Sequence, residues 1–419
     1  MVIGLVANAC FVWITDTRLE RQLAAIRAAG DPISLADLAR KPIAPEKNAA
    51  TYLRRAEADV EAIEHEIETP EFVALFHETQ NPYPIPPKVL KTIRAALDAY
   101  PKAIPLLERA AACPDYDAQL DYSLPPQEFN SQLFDVLRKF RGDARVLSYR
   151  TYLLSAEGKH DEFARSALIL FRLSRHLDRN PMLVGYLVAI VARGVAADVA
   201  CRALQTGPIS KEVRDALDTE LAIQERMEGF AWTLKSERAY VVESFSDRVP
   251  SRNFWLVSRG FWSLQESACL EVFPTLIALA GHQGSYRGVE RAVGSYDQVA
   301  QAIEAKNSVT AALLFPGLKA AYLAVARTRA QMRSLRVLNA LQARVPAGSN
   351  VVPKLGELGL PAETTTDPFN GEPLHVKRLP QGWLVYSVGP NLRDDGGKLG
   401  YGDNYDVGVG PPPSARSRH

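Results

Sequence analysis

The sequence is poor in cysteine, carries no excess of charge of either sign and lacks every common catalytic motif, and each absence closes a class of function. Its four cysteines, Cys10, Cys113, Cys201 and Cys269, lie scores of residues apart, with no CxxC pair and no histidine at ligand spacing. A zinc ribbon, a redox dithiol and a disulfide framework are therefore unsupported, and buried or membrane-facing thiols are expected. Basic and acidic side chains number 49 and 48, for a net charge of +1. No bulk field recruits nucleic acid through counterion release or steers an acidic substrate, so no nucleic-acid partner is expected.

The motif search is equally bare. His65 and His77 are each followed by Glu, but neither continues to the HExxH spacing that puts two imidazoles on one helical face. Ser285 in HQGSYRG lacks the GxSxG frame and a preceding strand. No Walker-type loop occurs, and the glycines of VGVGPPP at 407–413 run into prolines that do not start a dinucleotide-binding helix. The neighbours Glu237 and Arg238, and Glu290 and Arg291, are expected to make structural ion pairs. No small-molecule substrate is identified by any of these.

What is present is a globular composition, 47% hydrophobic and 23% charged over 419 residues, enough for two or three domains and for a real core. Residues 2–15, VIGLVANACFVWIT, carry no charge, and Trp13 stands where an interfacial aromatic belongs, ahead of Asp16 and Arg18. Fourteen residues at a 1.5 Å rise cover about 21 Å, short of the roughly 30 Å hydrocarbon core. A signal peptide would need a basic n-region and a small-x-small cleavage site, which are missing, and a buried first helix is the alternative. Our expectation is a membrane anchor over 1–16, shortened by mismatch or by a start codon inside the true helix. From Thr17, TRLERQLAAIRAAG is a charged, Ala-rich helix that breaks at Gly30, Asp31 and Pro32 and serves as a stalk. Arg18, Arg21 and Arg27, counted alone, place the body in the cytoplasm; a basic leader ahead of the run reverses this, and an extracytoplasmic body is the expectation.

Pro42 and Pro45 mark a linker closing the stalk region 17–45, and NPYPIPPKV at 81–89 an extended connection. Between 127 and 345 only Pro181, Pro208, Pro250, Pro274 and Pro316 occur, each where a helix should begin or kink. Asn180 and Pro181 form a cap and first-turn pair, and Gly158, Gly229 and Gly281 fall where left-handed C-caps are wanted. Residues 46–317 thus predict a helical body. MLVGYLVAIVA at 182–192 is apolar all round but short, which predicts a core helix and not a second span. AEGKHDEFARSAL at 156–168 resembles the turn between paired tetratricopeptide helices, with no copy at a period near 34.

The carboxy-terminal hundred residues are the most specific. Leu318, Tyr322, Val325, Met332, Leu335, Leu338, Leu341 and Val345 recur at three and four, predicting a long helix whose other face carries Arg327, Arg329, Arg333, Arg336 and Arg344, ended by Pro346 and Gly348. The turn Leu379-Pro380-Gln381-Gly382 predicts pairing of Leu374–Arg378 with Trp383–Val388, one face packed on that helix. The fold class is therefore mainly α: an irregular helical-hairpin array with a short N-terminal apolar helix and a small C-terminal β-hairpin packed on a long helix.

Over residues 325–410, the order long helix, DPF-x-G-x-P-L, strand, turn, a strand ending Y-S-V-G-P-N, and a Gly/Asp-rich tail ending D-V-G resembles the carboxy-terminal part of the major pseudopilin of bacterial type II secretion. Asp367-Pro368, Gly371-x-Pro373 and Ser387-x-Gly389 are its most specific words. That family's leader and helix-initial Glu are absent, so pilus assembly is not implied; bacterial proteins joining a short anchor, a helical middle and this ending are similar too. In the pseudopilin the corresponding loop binds calcium. The resemblance implies a Ca2+ site in which Asn391 stands where the family has an acidic ligand, Val388 offers its carbonyl, and Asp406 matches the Asp before the hydrophobic residue. Asp394, Asp395 and Asp403 complete a hard-oxygen shell. Asn at 391 lowers the ligand charge and weakens the site. A solvated tail is the competing reading of this Gly/Asp-rich end, and 411–419 is expected to be disordered.

Two function classes follow. The first is a membrane-attached helical scaffold that binds a protein partner, with 318–410 as a calcium-stabilised terminal module. The second is a hydrolase-type enzyme with its site between helices, drawing on Glu243, Asp247, His176 or His282. A cleft with converging carboxylates of raised pKa favours the enzyme; its absence beside an exposed apolar groove favours the scaffold.

Overall fold

The computed structural model describes residues 2–79, 85–246, 255–281, 301, 308–345 and 351–411 apart from 401 and 403. The protein is mainly helical, with one small antiparallel sheet. Helices α1 (Val2–Ala28), α2 (Ala49–Ile67), α3 (Pro70–Thr79), α4 (Pro87–Ala99) and α5 (Ala103–Ala112) lead to the long α6 (Pro126–Ala156). They are followed by α7 (His160–Leu177), α8 (Leu183–Thr206), α9 (Lys211–Arg226), α10 (Gly229–Ser246), α11 (Trp255–Leu270), α12 (Phe273–Gly281) and α13 (Val309–Arg344). Strands β1 (His375–Leu379), β2 (Gly382–Ser387) and β3 (Val407–Val409) close the described chain.

Local chemistry starts these helices. Pro70, Pro87 and Pro126 occupy first helical positions, where a missing N–H costs nothing. Asn48, Ser210 and Ser308 cap α2, α9 and α13 by accepting from Ala50, Val213 and Ala311 backbone N–H groups. The turn between α6 and α7 is Glu157–Lys159 with Gly158 at φ +68°, the tight helical hairpin its sequence suggested.

Two expected boundaries move. Asn180 does not cap α8; the helix begins at Leu183, whose N–H donates to Glu237 Oε2 of α10 at 2.8 Å. A tertiary carboxylate has replaced the local cap. Gly229 does not end α9 but begins α10, while Met227 takes the left-handed conformation at φ +53°. What fixes glycine at 229 is close approach, since a Cβ there would lie 3.0 Å from Asp178 Cβ.

α8 and α13 are, among the described residues, the two helices long and apolar enough to cross a membrane by length and composition. α8 packs against α6, α7, α10 and α13, and holds Arg193 and Arg202 buried on its sides. α13 is continuous across residue 318 and about 54 Å long at 1.5 Å per residue. It contributes to every core. Ala311, Phe315, Leu318 and Tyr322 pack with Phe230, Phe273 and Leu276; Leu335, Leu338 and Leu341 join the main cluster of α2 and α5–α9; Ala326 and Ala330 meet Phe369, Val388 and Val407.

In the sheet, β1 pairs with β2 from His375 opposite Tyr386 to Leu379 opposite Gly382, so Pro380 and Gln381 form the turn. β3 adds a third strand that sequence did not suggest, pairing Val385 with Val409 and Ser387 with Val407. Gly382, at φ +152°, sits against α8 where Gln205 Oε1 accepts from Trp383 N, and no Cβ fits there.

The middle of the arginine face of α13 is inside the protein, while Arg344 at its end is exposed. Arg333 and Arg336 are 4% and 7% exposed. Arg336 donates to Glu225 Oε2 and Asp218 Oδ1, both at 2.9 Å, and to Thr364 Oγ1 at 2.8 Å. Arg333 reaches Glu225 Oε1, the Thr366 carbonyl and Glu363 Oε1. Glu225 on α9 is thus the shared acceptor that ties α13 to the 363–366 loop. Removing one partner of a buried pair leaves uncompensated charge. Glu225→Ala is expected to lower stability by about 3–5 kcal/mol in urea unfolding; a loss under about 1 kcal/mol, the range of an exposed pair, would show that the network bears no weight.

Candidate functional site

The carboxy-terminal loop is assembled by two buried carboxylates. Asp367, fully buried, accepts from Phe369 N, Ser387 Oγ and Val388 N at 2.7–2.9 Å, fixing the start of the loop against the sheet. Asp406, also fully buried, accepts from Asp395 N at 3.2 Å and Gly397 N at 2.7 Å. Burial raises its pKa against those two donors. Asp367 escaped the sequence-based site list although its Asp-Pro motif was noted, because its role is to accept N–H groups and not to meet solvent.

Of the expected calcium ligands, Asn391, Asp394, Asp395 and Asp406 come together in this loop, and each of these four is already partnered. Asn391 Nδ2 donates to Asp395 Oδ2 and its Oδ1 accepts from Arg393 N. Asp394 Oδ1 accepts from Tyr386 Oη and Gly396 N, the latter holding its carboxyl below the usual range. Val388 is buried beside them, and Asp403 lies outside the described residues. The oxygens face N–H and O–H donors rather than one another. Among the described residues no group of three or more His, Cys, Asp or Glu side chains is placed to hold a metal.

Of the residues considered for an enzyme, the two that are described, His176 and Glu243, contact different parts of the fold. His176 is 4% exposed, shares a hydrogen bond with the Ala110 carbonyl and stacks on Tyr116; burial pushes its imidazole down to about 4. Glu243 accepts from Leu35 N at 3.2 Å, and Asp247 and His282 lie outside the described residues. Cys113, Cys201 and Cys269 are buried and Cys10 is exposed, all four as free thiols.

Two other features have functional character. The first is α1. Ile3, Val6, Phe11, Trp13 and Ile14 are all exposed, Ile3 by 86% and Trp13 by 70%. Beyond them, Asp16 accepts from Ser263 Oγ and Arg259 Nε on α11, both at 2.7 Å, and Arg18 pairs with Glu271. Residues 16–22 are therefore docked on α11 rather than forming a free stalk.

The second is a cleft of about 250 Å³ between α2 and α6. Leu53, Val60, Leu120, Val136 and Phe140 supply apolar wall, and Asp143 and Glu64 face into it. Asp143 is 4% exposed, and burial, with Glu64 and Glu57 nearby, pushes its carboxyl well above the usual range. Glu64 is raised chiefly by burial, against the opposing Arg145, whose Nε lies 2.8 Å from Oε1. Gly142 makes room for it, since a Cβ there would meet Glu64 Oε2 at 2.7 Å. Sequence missed this pair because 79 residues of chain separate two unremarkable helix positions.

Comparison of the chain with protein-family models, curated proteins and solved structures finds no match in any of the three.

Asp143 sets a pH signature. Its folded pKa lies above the unfolded value, so its stabilising contribution is complete below the unfolded carboxylate range and is lost as pH rises through the raised value. Asp143→Asn is expected to exceed the wild type in stability at pH 8 by on the order of 1 kcal/mol, the gap closing as pH falls. Thermal unfolding across that range measures it, and a gap independent of pH would reject the assignment.

Proposed function

We propose that the protein is a membrane-attached helical scaffold that binds a protein partner, with the 318–410 module as its terminal cap. The observation that carries this reading is the first half of α1, which presents Ile3, Val6, Phe11, Trp13 and Ile14 to its surroundings with no charged side chain among residues 2–15. Each large apolar side chain removed from water contributes about 1.5–3 kcal/mol, so five of them leave a strong drive to enter lipid. Trp13 then lies at the headgroup level, with Asp16, Arg18 and Arg259 on the aqueous side. At about 21 Å the charge-free run suits a locally thinned bilayer or a longer leader, and the body is read as extracytoplasmic. The expected result is that the full chain floats with liposomes and that deletion of residues 2–16 leaves it in the aqueous fraction. Unchanged partitioning rejects the anchor.

The pseudopilin-like reading of 325–410 is supported by the way Asp367 and Ser387, residues of its most specific words, and Asp406, matched to the family's loop Asp, converge on one loop. Calcium belongs to that reading. Because Asn391, Asp394, Asp395 and Asp406 are satisfied by protein donors, an ion must displace some of them, and binding is expected to be weak and to reorder residues 389–400. Calcium titration followed by NMR of the loop glycines measures it; no change below about 1 mM, the weak end of extracellular sites, ends the proposal.

A hydrolase-type enzyme is the second reading, and the Glu64–Asp143 cleft is the observation in its favour. Two neighbouring carboxyls pushed up to different extents, Asp143 by burial with little opposing charge and Glu64 by burial against Arg145, are a starting point for an acid–base pair. Turnover of simple chromogenic esters or glycosides that Asp143→Asn and Glu64→Gln both abolish would establish it.

A further inference from the structure

We propose that a cavity lined by Arg40, Arg175, Arg179 and Arg193 binds a small organic phosphate, with its anionic head among the guanidinium groups and an apolar or aromatic body against Trp232. The cavity, about 560 Å³, lies where the turn after α1 meets the ends of α7 and α9, the start of α10 and the side of α8. That volume falls in the range of ligand pockets, roughly 300–1,000 Å³.

The four arginines are incompletely neutralised. Arg40 and Arg179 converge on one carboxylate, Asp115, and burial, with the neighbouring Arg40, lowers the pKa of Arg179. Arg175 reaches Glu220 at 3.5 Å, and that carboxylate also faces Arg172 and accepts from Gln224 Nε2. Arg193, 1% exposed, pairs with Asp178 and donates to Gln224 Oε1, while its Nη1 has no hydrogen-bond partner. A buried guanidinium N–H left unmatched carries a desolvation cost, and phosphate oxygens among the neighbouring guanidinium groups offset the positive charge gathered here.

Three acidic groups share the wall with the four arginines. Asp37 accepts from Ile33 and Ser34 N–H groups, Asp178 holds Arg193 through Oδ2 while its Oδ1 has no hydrogen-bond partner, and Glu228 faces Arg226 at 3.5 Å. Gly229, the first residue of the eighteen-residue α10, also lines the cavity, so the positive end of a helix dipole points the same way. Arginines from three separate elements suit the three oxygens of a phosphomonoester better than the two of a carboxylate. Trp232 and Ile223, each 39% exposed, and the buried Met227 give the mouth its apolar side.

The test is calorimetric titration of the full chain with phenyl phosphate and with inorganic phosphate. Saturable binding of both is expected, with phenyl phosphate about tenfold tighter because its ring meets Trp232. Arg175→Gln and Arg179→Gln alter partly exposed side chains and leave the Arg193–Asp178 pair intact; each is expected to weaken both ligands about tenfold at unchanged thermal stability. Trp232→Ala should remove the advantage of phenyl phosphate and spare inorganic phosphate. Vesicles containing phosphatidic acid, compared with phosphatidylcholine alone, separate the sources: displacement of phenyl phosphate assigns the site to lipid headgroups, and its absence to a soluble phosphomonoester. No saturable binding of either probe up to about 10 mM, well above the millimolar affinity of a weak site, or affinities unchanged in both arginine variants, overturns the proposal.

Discussion

Glu225 is the carboxylate on which the architecture turns. It projects from the last turn of α9 between Arg333 and Arg336 of α13, and those two guanidinium groups continue to Thr364, Thr366 and Glu363 ahead of the sheet. Burying three charges is unfavourable unless each finds its partners, and here the partners come from α9, α13 and the terminal module together. The arrangement therefore admits one relative placement of the three. With α13 fixed, its apolar residues meet three cores in turn, and Asp367 and Asp406 close the module against it.

Sequence periodicity was enough for the helices and for the hairpin, because those follow from nearest neighbours along the chain: Pro126 at a helix start, Gly158 at a helical turn, Pro380-Gln381 between strands. It failed where a distant group did a local job. Glu237 caps α8 in place of Asn180, from 54 residues away. β3 was invisible because three residues followed by glycine and proline become a strand only when β2 offers its free edge. The face of α13 bearing Arg333 and Arg336 has the pattern of a solvated surface, and only the arrival of Glu225 turns it inward. The calcium candidates, all within nineteen residues of chain, were legible as a cluster; their saturation by loop N–H groups was not.

Polarity is partly inverted in this molecule. Charges that usually cover a surface sit inside it, at Arg193, Arg333 and Arg336, while Ile3, Val6, Phe11, Trp13 and Ile14 lie outside. Scattered surface hydrophobics are ordinary, but these five lie on one helix within twelve residues and next to no charge, which is the composition of a surface meant to be covered. The polar contacts of Asp16, Arg18 and Gln22 with α11 and Glu271 secure the second half of α1 to the body, Phe11 and Val12 pack on Gly260 of α11, and the side chains of Ile3, Val6, Trp13 and Ile14 remain exposed.

The same inversion leaves two polar cavities of opposite character in one helical body. Between α2 and α6, carboxyl groups exceed what their neighbours neutralise, and burial pushes Asp143 well above the usual carboxylate range. The side chains around Arg193 are guanidinium groups, which have no neutral form to adopt at any physiological pH. The difference decides how each site can be relieved. A buried acid lowers its cost by taking up a proton. A buried arginine cannot, and depends on anionic partners, as Arg193 does on Asp178. In the proposed phosphate site an outside anion plays that part for the arginines around the cavity.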